Sequence, residues 1–306
     1  MRGRFGLWSM VCGLWSPLKF LIIFGTILLL SAFLAPLLFR FLPFKFERIF
    51  NRLIMIFSIT AAFFFVRIGR QTFNQYGLDW RSGSFQLFWK GFVLGVLTLA
   101  LLVSVEIFAG AVAWNLKPFH AGLYTGVLMK ALLTGVVVGV IEEFFFRGFI
   151  YHWLKTRWNW PCLLSVGVTS IFYSLLHFVS RSRPFIGPHP QFKDSLALMT
   201  APFMSLLMWQ ELWPHALGLF LFGLVLNFLA IRTGSLYPSI GLHAGCVFFI
   251  KSDALFVDFL SKDSLVWAGS VMVDGLVSWI FLLLLWPAAI FLFKKDKITI
   301  ASGNES

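Results

Sequence analysis

The chain has 306 residues, of which 59% are hydrophobic and only 12% charged. A soluble domain carries about 25% charged residues, so the composition excludes a water-soluble globular protein and predicts an all-α, polytopic bundle of transmembrane helices. The net charge of +12 resides on Lys and Arg that flank apolar runs. That arrangement suits anionic headgroups and topology setting and argues against nucleic acid as a partner.

Apolar stretches long enough to span, or nearly so, cover about 18–39, 52–67, 91–114, 123–146, 161–179, 213–231, 236–250 and 265–293. They predict about eight membrane helices. The segments 52–67 and 236–250 are short and read as tilted or partly re-entrant. A further segment, 196–212, contains Pro202, Gln210 and Glu211 and reads as interfacial or half-inserted. Residues 181–190 hold Pro184, Gly187, Pro188 and Pro190, which forbid a helix and predict a loop or lid. The first apolar run is too long for a signal-peptide core and no small-residue cleavage site follows it.

Both ends are basic, through Arg2, Arg4 and Lys19 at the start and Lys294, Lys295 and Lys297 at the end. With an even number of spans, 1–17 and 294–306 become cytoplasmic tails of a single membrane domain, 1–306, in the plasma membrane. Arg40, Lys45, Arg48 and Arg52 then fall outside, against the rule. Trp and Tyr gather near segment ends, as in an aromatic belt. Cys12, Cys162 and Cys246 show neither disulfide nor metal spacing, and no cofactor or metal is expected.

The run Val140-Ile141-Glu142-Glu143-Phe144-Phe145-Phe146-Arg147-Gly148 places three charges inside one of the most apolar stretches. Each costs roughly 2.5–3.5 kcal/mol at bilayer depth, so ionisable groups there are candidates for function. Glu143 and Arg147 are four apart with the acid first, the better order for a helical ion pair. Glu142, about 100° round the helix, is then expected as a desolvated carboxylate without a local partner, suited to general acid/base work. Two further apolar segments contribute His177, four residues after Tyr173, and His243. A lone buried histidine is more often a hydrogen-bonded core group. Two of them, with an acid on a third segment, form a sufficient hydrolytic set around one water. Glu106 and Asp274 are single acids in apolar runs, as fit for a structural hydrogen bond or buried pair as for a direct role. His120, His152, His189 and His215 lie at segment ends or in loops and are expected to be interfacial or solvated. The spacings Gly218 to Gly223 and Gly241 to Gly245 predict close helix packing.

These residues resemble the CPBP family of intramembrane CAAX-type proteases and bacteriocin-processing proteins, over about 125–250. The family pattern is Glu-Glu-x-x-x-Arg, then aromatic-x-x-x-His, then His-x-x-x-Asn/Asp. Here it is met by Glu142-Glu143 to Arg147, by Tyr173 to His177, and by His243 to Val247. The resemblance implies peptide-bond hydrolysis in the membrane, on a membrane-associated peptide or protein. Glu142 would be general base with His177, and His243 would stabilise the oxyanion. Glu143 and Arg147 would hold the geometry. The departure is Val247 where Asn or Asp is usual. Asn227, in the preceding helix, is a candidate substitute donor, and a helix-to-helix hydrogen bond is the plainer role for it. Alternatives are a metal-dependent protease of the same fold, a weakened or non-enzymatic member serving as a membrane scaffold, and a transporter.

Overall fold

The computed structural model describes residues 5–68, 73–115, 118, 120–179, 185–206, 209–260 and 273–293. The tail 294–306 and residues 181–184 of the turn-rich stretch 181–190 lie outside them. The described residues form ten α-helices: α1 Phe5–Phe39, α2 Phe46–Ile68, α3 Ser84–Phe108, α4 Ala121–Glu143, α5 Tyr151–Arg157, α6 Cys162–Val179, α7 Phe192–Leu206, α8 Trp209–Thr233, α9 Tyr237–Ser252 and α10 Leu276–Leu292. Four segments are long and apolar enough to cross a membrane: Ile22–Phe39, Ser84–Phe108, Ala121–Thr156 and Trp213–Thr233. Cys162–His177 and Leu276–Leu292 are shorter apolar helices. The protein is an all-α, polytopic integral membrane protein.

Local departures from the expected elements have local causes. The stretch 91–114 stops being helical at Phe108, where Gly110 takes φ +75°. Val112–Trp114 instead forms strand β1, antiparallel to β2, Val257–Phe259. Asn115 donates its side-chain amide to the Asp258 carboxylate beside them. The segment 196–212 divides: α7 ends at Leu206 and α8 starts at Trp209, earlier than its apolar run. Pro214 sits in the sixth position of α8, just past the first turn. Residues 185–190 carry no helix.

The chain divides into two compact units. The first comprises Met1–Gln71, Trp153–Cys162 and Leu175–Leu212. Its core sets the small Ala32 and Ala35 of α1 against Phe46, Ile49, Phe50 and Leu53 of α2 and Leu198 of α7.

The second unit comprises Thr72–His152, Leu163–Ser174 and Trp213–Ser306, and α9 is its centre. A Cβ added at Gly91 of α3 would meet Pro238 O at 2.2 Å, and one at Gly95 would meet Leu242 O at 2.5 Å. In return a Cβ added at Gly241 or Gly245 of α9 would meet Phe88 O at 2.0 Å or Phe92 O at 2.2 Å. The partners rise together in number, so α3 and α9 run parallel, backbone against backbone. On the other side a Cβ added at Gly135 or Gly139 of α4 would meet Ala244 O at 2.5 Å or Ile240 O at 3.0 Å, with numbers descending, so α4 runs antiparallel. Small residues let helices approach this closely, which matters in lipid because burying apolar surface between helices gains little there.

This packing is directly testable. Gly241→Ala puts a methyl into the Phe88 carbonyl, where no flexible side chain can yield. It should cost roughly 1–3 kcal/mol, the usual range for overpacking. Gly126→Ala, where nothing lies within 4 Å, should be neutral or slightly stabilising through helix propensity. Thermal unfolding of both variants in detergent measures the contrast.

Candidate functional site

The close contact of α4 with α9 decides where the charges meet. One turn beyond Gly139, Glu143 reaches His243, whose Nδ1 stands 2.9 Å from Glu143 Oε1. The same oxygen accepts from Arg147 Nη1 at 2.9 Å. Both side chains of that ion pair are fully buried. An ionised carboxylate only accepts, so Nδ1 of His243 carries its proton toward Glu143. The other ring nitrogen, Nε2, lies 3.8 Å from Glu142 Oε2. Glu142 is therefore not isolated, as the sequence led one to expect. It shares the histidine, because adjacent helical residues diverge by about 100° and one imidazole can span the two directions. Glu142 keeps 27% of its side chain exposed and Glu143 none, so only Glu142 is open to water.

The helix that carries these groups is not uniformly α. Phe144–Ile150 is π-helical, with the Tyr151 N–H bonded to Phe146 O. Such widened turns recur at functional sites. Arg147 lies in this turn. Its Nη2 donates to Gly223 O of α8 at 3.3 Å, and its guanidinium stacks over the Tyr173 ring at 4.5 Å from the centroid. Gly148 admits the Tyr76 carbonyl, which a Cβ would meet at 3.3 Å. Tyr76 packs on Phe144 and His152, and burial pushes its phenol above the usual range. Tyr173 and Phe222 present their ring edges to His243, with centroids at 6.2 and 5.7 Å. The imidazole thus has carboxylates at its nitrogens and aromatic rings around its faces.

Asn227 is buried and its amide is already engaged. It donates to Ser170 Oγ of α6 at 3.1 Å and to Gly223 O at 3.0 Å. Gly223 O thereby takes both Asn227 and Arg147, and a Cβ on Gly223 would press on Ser170 at 3.1 Å. Val247 follows His243 by one turn of α9 and is half-buried. His177 is half-buried on α6, one turn past Tyr173, and falls in the first unit.

Three other polar groups resolve differently from one another. Asp274 hydrogen-bonds His215 Nδ1, and both are buried. His215 is thus not interfacial or solvated: α8 begins four residues before the apolar run and carries it inward. Glu106 has both carboxylate oxygens buried without a hydrogen-bond partner among the described residues. Also among the described residues, no three of His, Cys, Asp and Glu are grouped closely enough to share a metal ion.

The buried ion pair predicts an asymmetry between neighbouring acids. Glu143→Gln leaves Arg147 as an uncompensated buried charge, a loss of roughly 3–5 kcal/mol. Glu142→Gln keeps a group of the same shape at a partly solvated position and should leave the unfolding midpoint nearly unchanged. Equal destabilisation by the two substitutions in detergent unfolding would contradict this assignment of the charges.

Comparison with known proteins finds a family match over the part of the chain that carries these groups. Residues 124–249 match the family model described as type II CAAX prenyl endopeptidase Rce1-like. YyaK of Bacillus subtilis (strain 168), an uncharacterized protein, is 22% identical over 184 residues, 58% of this chain and 51% of that protein. The match thus spans about half the length of that relative. No solved structure matches. The matched segment runs from α4 through α9 and holds Glu142, Glu143, Arg147, Tyr173, His177, Asn227, His243 and Val247. Residues 124–249 are thus similar to the Rce1-like type II CAAX prenyl endopeptidases.

Proposed function

We propose that the protein is an intramembrane endopeptidase of the CAAX type, hydrolysing a peptide bond in a membrane-associated protein or peptide at the plasma membrane. The observation that carries this reading is the imidazole of His243 set between a buried carboxylate, Glu143 at 2.9 Å, and an accessible one, Glu142 at 3.8 Å. In the proposed reaction Glu142 takes a proton from a water as that water's oxygen bonds to the scissile carbonyl carbon. His243 donates to the oxyanion that forms. Collapse breaks the C–N bond, and the proton held by Glu142 passes to the departing amine. A carboxylic acid and an amine result: one proton of the water has passed to the amine and the other stays on the oxygen that joined the carbonyl carbon.

The pairing of His243 with Glu143 defines its part. With Nδ1–H committed to Glu143, a donor at Nε2 exists only in the imidazolium form. In that form it would donate through a charge-assisted hydrogen bond, roughly twice as strong as a neutral one. Glu143 and Arg147 act as positioning residues: they fix the ring's tautomer and angle and leave the chemistry to Glu142. His177 is assigned the second hold on the attacking water, on the strength of the motif it shares with Tyr173. A metal-dependent reading would need Glu142 and His243 as ligands, and chelator sensitivity of the purified activity would favour it.

Hydrolysis of a fluorogenic CAAX-type peptide in proteoliposomes tests the reading. Glu142→Gln removes the base and should lower turnover by at least roughly 10², with the fold intact by the unfolding measurement above. Wild-type rates from that variant would refute the mechanism. Val247→Asn offers a further donor one turn from His243 and should raise turnover, because a preorganised oxyanion donor can contribute about 3 kcal/mol. Substrate bound but never cleaved by wild type or by Val247→Asn would favour a scaffold.

A further inference from the structure

The face of α3 turned away from α9 carries a groove that the hydrolytic site does not use. It is a cavity of about 490 Å³ lined by Gln86, Trp89, Lys90, Val93, Leu94 and Leu97 of α3 and by Leu292 of α10. That volume lies within the usual range for small-molecule sites, about 300–1,000 Å³. The groove is graded along its length. Gln86, Trp89 and Lys90 stand in the first two turns of α3, while Val93, Leu94 and Leu97 continue into the apolar body of the helix. Trp80, Trp89 and Tyr237 lie at this end of the parallel pair α3 and α9. They mark the level of the headgroups, where such rings collect.

Charge at that level is positive. Lys90 is exposed, and no carboxylate among the described residues pairs with it. The end of α10 is held by Arg232, which donates to Phe293 O at 2.6 Å and to Ile290 O at 3.1 Å. Immediately after Leu292 and Phe293 the sequence runs Lys294-Lys295-Asp296-Lys297. The nearest acid on the α3 side, Asp79, is paired with Arg81.

An apolar channel in the acyl region, headed by an uncompensated cation at phosphate depth, matches one molecule of anionic phospholipid. We infer that the α3–α10 groove is a binding site for such a lipid, with one acyl chain along Val93, Leu94 and Leu97 and the phosphate on Lys90. The occupant would also buttress α3 from the side opposite its glycine contacts with α9.

The test uses the purified full chain in detergent, titrated with phosphatidylglycerol, phosphatidylcholine or inorganic phosphate, and read by native mass spectrometry. One phosphatidylglycerol should be retained in preference to phosphatidylcholine. Brominated phosphatidylglycerol should quench a fluorescence component that Trp89→Phe lacks. Lys90→Gln should weaken retention about fivefold, the effect of one basic side chain near an anionic surface. Val93→Trp, which fills the groove and keeps Lys90, should abolish it. Both variants should unfold at the wild-type temperature in lipid-free detergent, since both positions are exposed. Equal retention of the two lipids, or none of the expected loss in Lys90→Gln, would mean ordinary solvating lipid and overturn the site. Displacement of the lipid by inorganic phosphate alone would reduce it to an ion contact. Displacement by a prenylated CAAX peptide would give the groove to substrate instead.

Discussion

A single carboxylate oxygen, Glu143 Oε1, accepts at 2.9 Å from both Arg147 and His243. Neither Glu143 nor Arg147 is tolerable alone at this depth, because each isolated charge costs several kcal/mol to desolvate. Together they are compensated, and the remaining donors of Arg147 determine what packs around them. One goes to the Gly223 carbonyl, and the flat face of the guanidinium lies on Tyr173. The pair therefore ties α4 and the π-helical turn to α6 and α8, while Glu143 ties them to α9 through His243. Four helices and the π-helical turn meet at one neutralised charge, and removing either member would unseat them all.

That junction tolerates little slack, and the glycines explain how slack is avoided. Gly135 and Gly139 let α4 press against the backbone of α9 one turn before Glu143 meets His243. Gly91, Gly95, Gly241 and Gly245 hold α9 from the far side. Two helices whose backbones touch cannot slide without a clash of carbonyls. The distance between Glu143 and His243 is thereby set by main-chain contact, which is stiffer than contact through long side chains. Groups that handle a water and a carbonyl need that stiffness, since misplacement by about 1 Å can cost 10²-fold in rate.

The residues that carry charge were the legible part of the sequence. Charge inside apolar runs is costly, so Glu142, Glu143 and Arg147 announce themselves, and i,i+4 spacing names the ion pair. The partner of His243 was not legible, since helical spacing relates residues within one helix and His243 is 100 residues from Glu143. The π-helical turn left no mark either, for Arg147 is the one polar side chain between Phe144 and Phe149 and a single polar position fits any period. The pairing of His215 with Asp274 was hidden by the start of α8, which polar residues before the apolar run obscure. The β1–β2 pair is three residues long on each strand, too short for alternation to register. Gly91 and Gly95 could have been found: their spacing is the one that identified Gly241 and Gly245.

On the proposed reading, Val247 changes the balance among oxyanion donors rather than emptying it. The amide of Asn227 is occupied by Ser170 and Gly223, so it steadies the carbonyl that also receives Arg147. It contributes to the site through that carbonyl, at one remove from the substrate. What remains near Glu142 is the imidazole of His243, which has a carboxylate on either side. An amide at position 247 would add a second donor to this one. On the proposed reading its absence would cost rate without removing the mechanism, because the His243 donor is retained. On the proposed reading the site would rely on one oxyanion donor in place of two, and that donor rests in turn on the buried carboxylate of Glu143, 2.9 Å from His243 Nδ1.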